Sequence, residues 1–88
     1  MDKVWYVYIL ECGDGSLYTG VTDDLRKRLE AHRAGKGAKY TRGRAPLTLR
    51  YQEMAESRAA AQHREYEIKQ LSRSEKLKLC SLSPVKDR

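Results

Sequence analysis

Every monocyclic aromatic in this 88-residue chain carries a hydroxyl: there are six tyrosines and no phenylalanine. Three of them, Tyr6, Tyr8 and Tyr18, fall inside "YVYILECGDGSLYTG" at residues 6–20. A core that needs only aromatic bulk has no use for so many phenols. A second unusual pair stands in "DLRKRLEAHR". On a helical wheel of about 100° per residue, Leu25 and Leu29 define an apolar stripe and His32 falls on it. Arg28 lies within about 60° of Leu25 on the same side, whereas Arg26, Lys27, Glu30 and Arg33 point elsewhere. A phenol with a pKa of about 10 is too weakly acidic to serve as a base at neutral pH. A neighbouring Arg⁺ would favour the phenolate. Each residue also has a plainer reading: half-buried strand tyrosines with hydroxyls at the rim, an arginine that snorkels to water, and a core or boundary histidine with its hydrogen bonds met.

The elements that must position these groups can be read in order. "VWYVYILE" at 4–11 is apolar on both faces, which predicts a central strand covered on both sides. "LYTGVT" at 17–22 is a second strand. Tyr8 and Tyr18 share a sheet face only in one register. With Asp14-Gly15 as a two-residue loop, Tyr18 sits opposite Glu11 and Tyr8 faces away. With Gly13-Asp14-Gly15 as a three-residue loop, Tyr18 sits opposite Leu10 and Gly20 opposite Tyr8, so both phenols share one face. Gly20 would then leave open space over the Tyr8 ring.

"TDDLRKRLEAHRAG" predicts a helix capped by Thr22 or Asp23, with acidic residues in its first turn and Gly35 at its end. "GKGAKYTRGRAP" reads as a flexible basic loop carrying Lys36, Lys39, Arg42 and Arg44. "LTLRYQEM" alternates Leu47, Leu49 and Tyr51 with Thr48, Arg50 and Gln52, a half-buried third strand. A second helix runs from about Ser57 to Leu71. Ser72 and Glu75 form a capping box that opens a third, lysine-rich helix to about Ser81. The expected fold is α+β: a small three-stranded antiparallel sheet flanked by three helices, in the order ββαβαα. One domain over 1–82 with a frayed tail at 83–88 accounts for the length.

The net charge of +6 and pI near 9.5 suit a phosphate-rich partner, although a solubilising surplus has the same composition. There is no apolar run long enough for a membrane span. The N-terminus lacks a small-residue cleavage site and reads as a strand. Cys12 and Cys80 give neither a disulfide framework nor a zinc spacing, which suits free thiols in a reducing cytoplasm.

"VYIL", then "YTG" ten residues on, then "DLRKRLEAH", resembles the GIY-YIG nuclease domain. "GKGAKYTRG" and "EYEIKQLSRSEK" are also similar to the small stand-alone bacterial proteins of that family. The likeness covers about residues 4–80. Its first motif is degenerate, with Tyr6 and Val7 ahead of Tyr8. The resemblance implies phosphodiester hydrolysis in DNA with one divalent metal, Mg²⁺ or Mn²⁺. It implies Tyr8 as the general base, Tyr18 as support for base and water, and Arg28 as the group that neutralises the scissile phosphate. His32 would be a proton relay and Glu65 the metal ligand, with Lys69 four residues on. The pattern alone leaves Glu65 and Glu67 equivalent, one on each edge of the Ala60-Ala61-Ile68-Leu71 stripe, and Glu65 also fits a simple i, i+4 pair with Lys69. Tyr40 matches a position near the site in some relatives and otherwise stacks on a base or on its own loop. Lys36, Lys39, Arg42 and Arg44 are phosphate-contact candidates. A metal-dependent endonuclease acting on structured or damaged DNA in repair or recombination is the leading reading. The rivals are a nucleic-acid-binding module with a vestigial site and a nuclease subunit that a protein partner targets.

Overall fold

A computed structural model describes residues 3–82 of the chain, and the predicted frayed tail at 83–88 lies outside the described residues. Three strands, Trp5–Glu11 (β1), Leu17–Thr22 (β2) and Thr48–Ala55 (β3), make one antiparallel sheet with β1 in the middle. Its central place explains why β1 is apolar on both faces. Three helices complete the α+β fold: Leu25–Arg33 (α1), Arg58–Lys69 (α2) and Arg73–Leu82 (α3). The chain order is ββαβαα, with a single 3₁₀ turn at Lys39–Thr41 before β3.

The hairpin takes the three-residue loop. Cys12 N–H donates to the Ser16 carbonyl at 2.8 Å, closing the loop around Gly13-Asp14-Gly15, and Gly15 adopts φ +85°. Tyr8 therefore pairs with Gly20, and Leu10 with Tyr18. Because side chains alternate along a strand, this register puts both phenols on one face.

Helix ends follow local chemistry, with one correction. The cap of α1 is Asp24, whose Oδ1 accepts from Lys27 N–H at 3.1 Å, rather than Thr22 or Asp23. Thr22 instead accepts from Asp24 N–H through its hydroxyl at 3.1 Å, so the acidic pair precedes the first turn and does not fill it. Ser57 caps α2 through Ala60 N–H. Ser72 and Glu75 form the expected reciprocal box, at 2.9 and 3.1 Å.

A β-bulge separates the two faces of β3. Tyr51 pairs with Ile9 but Leu49 pairs with Leu10, so Arg50 has no opposite residue on β1. The expected alternation of Leu47, Leu49 and Tyr51 on one face is broken there. Tyr51 joins Val7, Ile9, Ala61, Ile68 and Cys80 on one side of the sheet. Leu49 joins Tyr8 and Leu10 on the other, where Tyr18, Leu25 and Leu29 pack. Thus α2 and α3 cover the first face and α1 covers the second. Full burial of a side chain such as Ile9 or Ile68 contributes about 1.5–3 kcal/mol, and both are fully buried.

Candidate active site

The second face is where the polar residues collect. β1 supplies Tyr8, β2 supplies Tyr18, and α1 supplies Arg28 and His32 one helical turn apart. Tyr8 is fully buried and His32 is 2% exposed. The phenol oxygen of Tyr8 lies 2.8 Å from His32 Nε2. A methyl group at Gly20 would stand 2.6 Å from that oxygen, so only glycine lets the phenol lie against β2. The Tyr18 ring meets the His32 ring edge-on at 5.3 Å between centroids. The Arg28 charge acts on both phenols, and they in turn hold its guanidinium protonated. Its Nε is buried without a partner among the described residues.

Burial sets the protonation states. Tyr8 is pushed up to about 12, chiefly by loss of solvent, although Arg28 pulls the other way. The expected lowering by a nearby Arg⁺ is present but is outweighed. His32 is pushed down to about 4, first by burial and then by the Arg28 charge. At neutral pH the pair is a neutral phenol beside a neutral imidazole, and Nε2 carries a lone pair when the phenol donates to it.

The two glutamates of α2 differ in their surroundings. Glu67 is half exposed and pairs with His63 and Arg64. Glu65 is less exposed, pairs with Lys69 at 3.2 Å, and lies close enough for its charge to act on Tyr8. The simple i, i+4 pair is therefore formed as well.

The basic segment after α1 is built into the molecule. Tyr40 stacks on Tyr18, with centroids 5.9 Å apart and planes at 26°. Arg44 lies over the Tyr40 ring at 4.4 Å and pairs with Asp14 in the hairpin loop. Lys36, Lys39 and Arg42 are exposed beside these contacts. Lys69 lines a cleft of about 240 Å³ with Leu17, Tyr18, Thr19, Tyr40 and Lys76. Two residues of this neighbourhood were not singled out by sequence. Lys76 was hidden in a generally lysine-rich helix. Thr41 is 2% exposed and touches His32, but nothing in "AKYT" marks it apart from its aromatic neighbour.

The GIY-YIG catalytic domain matches residues 4–78, which includes every residue of this cluster. The chain belongs to the GIY-YIG family. This places it in a nuclease family. The GIY-YIG chain is 56% identical over 82 residues to the UPF0213 protein CPE1444 of Clostridium perfringens, covering 93% of this chain and 88% of that one. It also resembles two solution NMR structures. One is the UPF0213 protein BH0048 from Bacillus halodurans, at TM-score 0.60 and 52% identity, over 92% of this chain and 86% of that one. The other is EF2693 from E. faecalis, at TM-score 0.63 and 38% identity, over 100% and 99%. No helix among the described residues is long and apolar enough to cross a membrane.

Proposed function

We propose that this GIY-YIG protein is a metal-dependent endonuclease that hydrolyses phosphodiester bonds in DNA within the cytoplasm. The observation that carries the reading is the buried Tyr8–His32 hydrogen bond at 2.8 Å, in the field of the Arg28 guanidinium. In this reading Tyr8 is a relay rather than a standing phenolate. A water that gives its proton to the Tyr8 oxygen lets the phenol proton pass to His32 Nε2 in the same step. The oxygen of that water forms the new bond to phosphorus as the ester oxygen leaves. Arg28 opposes the charge that builds on the phosphate, and Tyr18 holds the nucleophile's side of the site. Tyr8 is fully enclosed, so a substrate phosphate that draws Arg28 onto itself would uncover the phenol oxygen.

Among the described residues no three His, Cys, Asp or Glu side chains converge into a metal cage. One partly buried carboxylate whose charge acts on Tyr8 fits a hard ion that keeps most of its waters, as Mg²⁺ does, and Mn²⁺ fits the same donor. Glu65 would hold it, and the ion when bound supplies further positive charge to the phosphate. Lys36, Lys39, Arg42 and Lys69, with Tyr40, would lie along the nucleic-acid backbone. Arg44 would act mainly by fixing Tyr40.

A second reading is a nucleic-acid-binding module without useful turnover, favoured by the enclosure of Tyr8 and the Glu65–Lys69 pair. Incubation with Mg²⁺ or Mn²⁺ on branched, nicked, single-stranded and duplex DNA separates the two. The account expects cleavage by the wild type and a loss of at least about a thousandfold in Glu65→Ala, with folding and DNA affinity retained, because charge stabilisation of this kind is worth several kcal/mol. Glu67→Ala should cleave nearly normally. Equal rates for Glu65→Ala and wild type would overturn the assignment. Binding without cleavage on every substrate would establish the second reading instead.

A further inference from the structure

We propose that Thr41 is a positioning residue that fixes the tautomer of His32, so that the Nε2 lone pair always faces Tyr8. His32 Nδ1 lies 2.9 Å from Thr41 Oγ1. The same hydroxyl lies 2.9 Å from the carbonyl of Ala38, to which it donates. With the Thr41 proton donated to the Ala38 carbonyl, the hydroxyl oxygen accepts from His32. Nδ1 therefore carries the ring proton and Nε2 does not. A phenol can both donate and accept, so Tyr8 alone does not fix the tautomer; with Nε2 unprotonated it donates to that nitrogen at 2.8 Å. Thr41 thus sets the direction of both hydrogen bonds on the imidazole.

The backbone around Thr41 holds the ring in this pose. A methyl group at Gly37 would fall 2.3 Å from His32 Nδ1, so the chain passes directly against the imidazole. The 3₁₀ turn Lys39–Thr41 then folds the hydroxyl back to Nδ1. A hydroxyl in place of the more usual carboxylate leaves the imidazole uncharged and without a compensating anion, in keeping with a base that holds its proton only briefly. The segment that reads as a basic loop consequently has a second task unrelated to its charge.

The catalytic value of this tautomer rests on the nuclease reading above, but the tautomer itself does not. Nitrogen-15 chemical shifts of the His32 ring at neutral pH report it directly. The expected wild-type result is a protonated Nδ1 and an unprotonated Nε2. Thr41→Val keeps the shape and removes the hydroxyl, and should give a mixed or Nε2-protonated ring. Thr41→Ser should restore the wild-type shifts. The cleavage rate should fall by about tenfold to a hundredfold in the valine variant, with KM little changed, and recover in the serine variant. An Nε2-protonated wild-type ring would overturn the proposal, as would a valine variant with unchanged tautomer. If the valine variant does not fold, the wild-type and serine shifts still decide. A wild type that never cleaves, with the predicted shifts in all three proteins, would sink the nuclease reading and leave the tautomer assignment standing.

Discussion

Tyr8 and Ile9 are consecutive residues of β1, and both are fully buried. Ile9 points to the face closed by α2 and α3, among Val7, Tyr51, Ala61 and Ile68. Tyr8 points to the face under α1, where burial encloses a phenol, an imidazole and a threonine hydroxyl in one hydrogen-bonded chain. The first face is held mainly by apolar contacts, with Tyr51 also donating to Glu53 at its edge, and the largest cost there is the loss of packed volume. The second face buries groups that are costly unless each finds a partner. All but Arg28 Nε do so among the described residues of the cluster. An unpaired buried N–H costs about 1–3 kcal/mol, and Thr19 Oγ1 on the opposite face is unpaired as well. One face packs the apolar core and the other gathers the candidate site, although a single strand supplies both.

The largest expected effect tests that division on the apolar side. Ile9→Ala should lower the unfolding free energy by about 2–5 kcal/mol, measured by denaturant titration, while the cleavage rate per folded molecule stays within a few-fold. A rate loss of a hundredfold in the folded fraction would mean that the two faces are not separable.

The division was partly legible before any coordinates. The three-residue loop around Gly13-Asp14-Gly15 fixed which phenols share a face, and the stripe of Leu25, Leu29 and His32 fixed the face of α1. Ser72 and Glu75 marked a boundary because capping is local chemistry within four residues. The bulge at Arg50 was not legible, since alternation in β3 continues through it unbroken and only pairing with β1 reveals the extra residue. Thr41 was invisible for a related reason. Its role depends on a contact nine residues away that no periodicity encodes. The pull of Arg28 on Tyr8 was legible in sequence, whereas the degree of burial that outweighs it was not.

A smaller effect separates the faces by pH. His32 sits at about 4 in the fold, below its ordinary value of about 6.5. Between those values the unfolded chain binds a proton that the native site does not, so stability rises with pH across this window. The contribution is complete above about pH 6.5 and is lost as pH falls through about 4. Denaturation midpoints for His32→Gln should therefore show a flatter pH dependence than wild type from pH 4 to 6.5. Ile9→Ala should run parallel to wild type, and parallel curves for both variants would contradict the shift.

The smallest effect lies outside both faces. Neutralising Lys39 and Arg42 together should leave stability and the pH profile unchanged, weaken DNA binding equally across sequences, and reduce the slope of log affinity against log salt by about one to two units. An unchanged slope would remove these residues from the backbone contacts.

The most direct test of the central claim is Tyr8→Phe, with Tyr6→Phe as its control on the same strand. The substitution keeps the ring and its packing and deletes only the hydroxyl. If that hydroxyl serves the reaction, stability should fall by about 1 kcal/mol or less and the cleavage rate by about a hundredfold or more, while Tyr6→Phe cleaves almost normally. A Tyr8→Phe protein that cleaves at the wild-type rate would contradict the account, because the phenol would then be part of the fold alone.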